Sequence, residues 1–67
     1  SEGDPDLHAA FAALRLESIT TTATHTIILL ATTATAYETV ETKGITLFSK
    51  ALKQHFKNPY LRYRIGD

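Results

Sequence analysis

Leu7, Phe11 and Leu14 recur at i, i+4 and i+7 within an alanine-rich stretch. That spacing predicts a helix with a narrow apolar stripe, and Ala9, Ala10, Ala12 and Ala13 favour helix while letting a neighbour approach closely. Asp4 is placed to cap its N-terminus, Pro5 suits the first helical position, and Asp6 complements the positive end of the helix dipole. A different pattern follows. Ser18–Tyr37 is a run of twenty residues without Asp, Glu, Lys or Arg, in which only Ile27–Ala31 is strongly hydrophobic and threonine occurs eight times. As a helix it would extend about 30 Å, the thickness of a bilayer's hydrocarbon core, with threonine hydroxyls bonded back to helix carbonyls. Threonine and isoleucine also favour strands, so a strand or hairpin over Thr24–Val40 is the alternative. No Gly, Pro, Asn or Asp stands between Asp6 and Gly44 to make a turn, which favours continuous helix.

From about Glu38 to Asn58 the period is again helical. Lys43, Lys50, Lys53 and Lys57 share one face, and Ile45, Phe48, Leu52 and Phe56 the opposite one. Gly44 is either a weak point in this helix or a place of close contact. Pro59 ends it, and Asn58 is pushed out of helical geometry. These patterns predict an all-α chain: a single long helix over about residues 5–58, gently curved or kinked, packed in a helical multi-subunit array, with a short extended C-terminal tail.

A chain of 67 residues without cysteine has neither a disulfide framework nor a thiolate metal site, and it is marginal as a lone domain. His8, His25 and His55 lack metal-ligand spacing, and no Ser–His–Asp set or phosphate loop is present. The expectation is therefore no catalytic residue, no metal, no cofactor and no enzyme. The absence of methionine suggests a processed product.

Charge divides the chain into three segments. Residues 1–17 carry Glu2, Asp4, Asp6 and Glu17 against Arg15; residues 18–42 carry only Glu38 and Glu41; residues 43–67 carry Lys43, Lys50, Lys53, Lys57, Arg62 and Arg64 against Asp67. The reading is an acidic solvent-facing segment, an uncharged packing segment able to enter a membrane, and a basic segment facing nucleic acid. Spaced cations neutralise phosphates without reading bases, and Phe56, Tyr60 and Tyr63 among them can stack on single-stranded bases. The rival reading is a juxtamembrane basic segment held by anionic lipid.

Two stretches add a resemblance. "SEGDPDLHAAFAALR" resembles the mature N-terminus of the major coat protein of filamentous bacteriophages, the inoviruses, with Glu2, Gly3, Asp4, Ala9, Ala10, Phe11 and Leu14 in the same order and spacing. "GITLFSK", Gly44 to Lys50, is similar to the start of that family's basic end, and Lys50 matches a basic position of its motif. The Thr-rich middle and the tail after Pro59 depart from the family. The resemblance implies a structural virion subunit made with a removable signal sequence. It implies residence of a transmembrane helix in the host inner membrane, then assembly in many copies around a single-stranded DNA genome without sequence preference. Minor coat proteins would close the filament ends. Subunit packing would bury Leu7, Phe11, Leu14, Ile19, Ile27, Ile28, Leu29, Leu30, Ile45, Phe48 and Leu52, each worth roughly 1.5–3 kcal/mol when fully enclosed. Two alternatives stand beside it: a single-helix accessory subunit of a respiratory or photosynthetic membrane complex, and a secreted, membrane-active helical peptide.

Overall fold

Thr22 reverses the chain where no glycine or proline is available. Its backbone N–H donates to the His25 carbonyl at 2.7 Å, its hydroxyl donates to that same carbonyl at 3.0 Å, and the hydroxyl oxygen accepts from the His25 N–H at 2.9 Å. A threonine hydroxyl used this way substitutes for a backbone turn. The flanking residues are dense in Thr and Ile, whose branched side chains are stiff and fit a pleated surface. The result is a hairpin of β1 (Arg15–Thr21) and β2 (Thr26–Thr32), paired antiparallel, with a bulge between Leu16 and Ser18.

The computed structural model describes residues 6–66. Before the hairpin lies a short helix, α1 (Leu7–Ala12), capped by Asp6, whose carboxylate accepts from the Ala9 N–H at 3.1 Å. Asp4 and Pro5, expected to start this helix, lie outside the described residues, as do Glu2 and Asp67. After the hairpin, Thr33 caps α2 (Ala34–Thr39) by accepting from the Ala36 N–H at 3.1 Å. The helix widens into a π-helical turn over Val40–Gly44 and continues as α3 (Ile45–Lys53). Asn58 then adopts a left-handed conformation, φ 43°, which asparagine tolerates better than most residues. Its side-chain amide donates to the Thr24 carbonyl at 2.8 Å and holds the end of the crossover against the hairpin turn. Pro59 opens β3 (Pro59–Ile65), which pairs parallel with β2, so the sheet order is β1-β2-β3.

The helices lie on one face of this mixed sheet, with α2 and α3 both packed on β3. The core has two parts. Ala10, Ala36 and Val40 join the helices, with Phe11, Ala13, Leu14 and Ile45 packed around them. Val40 is fully enclosed, a burial worth about 1.5–3 kcal/mol. Toward the sheet, Ile28 and Leu30 are buried, and Tyr63 of β3 meets Tyr37 of α2 edge-on with ring centroids 4.8 Å apart.

The single long helix is thus overturned: the chain is α+β, with a three-stranded sheet, one twenty-residue helical run and one short helix. The apolar centre Ile27–Ala31, expected at the middle of a membrane-length helix, is the central strand. The long helical run begins only at Ala34 and carries Glu38, Glu41, Lys43, Lys50 and Lys53. Among the described residues no helix is long and apolar enough to cross a membrane. The transmembrane helix and residence in the host inner membrane are corrected accordingly, and the single-helix accessory subunit loses the span it requires. Several residues expected to pack between subunits are engaged to some degree within one chain. Ile28 and Leu30 are buried; Phe11, Leu14 and Ile45 surround the helical core; Phe11 meets Phe48 at 5.6 Å between centroids; Leu7, Ile27, Leu29 and Leu52 are half-buried. Ile19, 43% exposed, stays at the surface of β1.

Candidate nucleic-acid interface

Alternation along β3 sorts its side chains between the two sheet faces. Leu61 and Tyr63 are half-buried toward the helices, where Tyr63 meets Tyr37. Tyr60, Arg62 and Arg64 therefore stand on the opposite, uncovered face, and all three are exposed. The strand register extends this face across the sheet in three rows: Thr20, Ile27, Tyr60; Ser18, Leu29, Arg62; and Arg15, Ala31, Arg64. Ile27, Leu29 and Ala31 form a half-buried apolar centre, flanked on β3 by an aromatic ring and two guanidinium groups.

Two contacts organise the cations. The Arg62 guanidinium lies over the Tyr60 ring, 5.3 Å from its centroid, a cation–π arrangement that stiffens both side chains. Arg64 reaches past Ala31 and donates from Nε to Glu17 Oε1 at 2.7 Å, with Nη2 on the same oxygen. The bulge between Leu16 and Ser18 is what gives Glu17 its place beside this row. The hydrogen bond from Arg64, with its positive charge, holds the Glu17 carboxyl below its ordinary range, against a smaller opposing effect of desolvation. Arg64 is raised for the reciprocal reason. On the far face, burial first, then the charge of Glu41 and the presence of Tyr37, push the Tyr63 phenol up to about 12. Its hydroxyl is buried without a hydrogen-bond partner.

The six cations expected to form one basic surface are divided. Arg62 and Arg64 lie on the open sheet face. Lys43, Lys50 and Lys53 are exposed on the helical side, where Lys50 and Lys53 border a shallow hollow with Ile45, Thr46 and Ser49. Lys57 is tied to the hairpin turn, donating from Nζ to the Ala23 carbonyl at 3.2 Å. Of the aromatics suggested for stacking, Tyr60 is available, 52% exposed, while Tyr63 belongs to the helix–sheet packing and Phe56 is half-buried. Sequence reasoning missed Arg15 and Glu17 as members of the site. No period-two alternation marks this strand, because Leu16 and Ile19 stand three apart across the bulge and all seven residues are exposed; the β-favouring Ile19–Thr21 was the only local signal. Among the described residues no three His, Asp or Glu side chains converge to hold a metal ion. Compared with known proteins, the chain matches no family model, no curated protein and no solved structure.

Proposed function

We propose that this chain is a non-catalytic protein that binds single-stranded nucleic acid on its open sheet face, without regard to sequence. The observation that carries the reading is the alternation of Tyr60, Arg62 and Arg64 on that face, beside the apolar centre of Ile27 and Leu29. An exposed ring offers a stacking platform to any base, because every base has a π-face. Guanidinium groups on the same strand engage phosphate oxygens, with Arg15 on the same face of the opposite edge strand adding a third. A flat sheet face suits unpaired bases that can be splayed out against it. Single-stranded DNA, the partner implied by the resemblance to phage coat proteins, is retained in this proposal; the helical rod and the membrane stage are not.

Binding of a fluorescent oligothymidylate, followed by anisotropy at several salt concentrations, tests the reading. Arg62 on one phosphate and Arg15 with Arg64 on a second give a slope of log K against log salt of about −1.4, from about −0.7 per contact on a single strand. Tyr60→Ala weakens binding by about 1–3 kcal/mol, the worth of one stacked base. The absence of binding at low salt, or equal binding by wild type and Tyr60→Ala, contradicts it.

A further inference from the structure

The row Arg15, Ala31, Arg64 has a feature that stacking does not use. Ala31 is the smallest side chain of β2, and above it the two flanking strands each present an arginine. A cleft of about 440 Å³ opens there, lined by Ala13, Arg15, Glu17, Ala31, Arg64 and Gly66. Thr32 and Thr33 also border it, but their hydroxyls are engaged: Thr32 donates to the Thr33 carbonyl and Thr33 accepts from the Ala36 N–H. The groups left to bind an anion are the two guanidiniums.

We propose that this cleft is a phosphate site whose ligands are Arg15 and Arg64, and that the Glu17 carboxylate occupies it in the free protein. Arg64 presents Nε and Nη2 to one Glu17 oxygen, and these are the same two donors with which arginine grips a phosphate. The Glu17 carboxylate thus stands where a phosphate would. Both partners are solvent-exposed, and exposed ion pairs are weak, so an incoming phosphate displaces Glu17 at small cost. Ala31 is required because any longer side chain would fill the space between the arginines. The inference rests on the nucleic-acid reading for its source of phosphate, a group on a polynucleotide strand, with Glu17 setting how tightly that strand is held.

The test is a titration of the wild-type protein with inorganic phosphate, followed by NMR signals of the Arg15 and Arg64 Nε–H groups and of the Ala31 amide. Saturable shifts confined to these groups are expected. Glu17→Gln tightens phosphate binding about two- to fivefold, the fold-change equivalent of one exposed ion pair, and Arg64→Ala abolishes it. Ala31→Leu, a change on an open face that spares the core, also abolishes it. The same variants are then tested with oligothymidylate bearing or lacking a 5′-phosphate. A gain confined to the 5′-phosphorylated strand marks a terminal group, and an equal gain on both strands marks a backbone phosphate. Unchanged or weaker phosphate binding by Glu17→Gln, or full binding by Ala31→Leu, overturns the proposal. If oligothymidylate binds through Tyr60 while Glu17→Gln has no effect, the cleft proposal fails and the stacking face stands. If phosphate binds as expected while oligothymidylate does not, the nucleic-acid reading fails and the site remains as an anion site.

Discussion

A β carbon on Gly44 would stand 2.8 Å from Cζ of Phe11 and 3.0 Å from Cδ2 of Leu7. The bare α carbon at the end of the π-helical turn is therefore the surface on which α1 docks. Gly44→Ala exchanges a gain in helix propensity of about 1 kcal/mol for overpacking that costs about 1–3 kcal/mol. The expected net effect is destabilisation in chemical unfolding. The same substitution made in a Phe11→Ala background loses most of its overpacking cost and becomes neutral or stabilising, because the clashing ring is gone and only the flexible end of Leu7 remains close. Equal effects in both backgrounds would show that α1 does not rest on Gly44.

The hairpin turn depends on one hydroxyl. Thr22→Val keeps the shape of the side chain and removes the hydroxyl's bonds to the His25 carbonyl, the His25 N–H and the Thr24 N–H, while the backbone bond to the His25 carbonyl stays. A loss of about 1–2 kcal/mol in stability is expected from hydrogen bonds of ordinary net worth, whereas Thr20→Val, on the open face away from the turn, changes stability little. Thermal unfolding of the two variants side by side makes the comparison.

Tyr63 ties stability to alkaline pH. Its folded pKa is raised to about 12 from an ordinary value of 10.0, so the folded state holds the phenolic proton more tightly than the unfolded chain. The stabilisation is complete below pH 10 and is lost as pH rises from there through about 12. Tyr63→Phe removes this decline. It also leaves neutral-pH stability unchanged or higher, because the hydroxyl it deletes has no partner. Denaturant midpoints for both proteins between neutral and strongly alkaline pH give the answer; parallel declines would contradict the assignment.

Parts of this fold are legible along the chain for local reasons. The Leu7, Phe11, Leu14 spacing marks α1 and its neighbourhood, the Lys50 and Phe48 faces mark α3, and Pro59 marks the return to extended backbone. What stayed hidden is non-local or uses unexpected chemistry. A turn sought through Gly, Pro, Asn or Asp is made by Thr22, so Ser18–Tyr37 reads as unbroken helix when it holds a hairpin and a helix start. The parallel pairing of β3 on β2 joins residues more than thirty positions apart, and no local period reports it. Once that pairing is in place Arg62 and Arg64 are separated from the lysines that adjoin them in sequence. The single basic stripe divides, and Arg15, assigned by charge to the acidic end, joins the site. The Glu17–Arg64 contact follows from a one-residue bulge, which alternation alone does not locate.

The central claim is that the open sheet face, and not the lysine-bearing helix, meets single-stranded nucleic acid. Mapping amide and side-chain NMR shifts of the full chain on addition of oligothymidylate tests it most directly. The account predicts the largest changes at Arg15, Leu29, Tyr60, Arg62 and Arg64, with Lys43, Lys50 and Lys53 nearly unmoved. Changes concentrated at Lys43, Lys50 and Lys53, with Tyr60 and Arg62 silent, would contradict it.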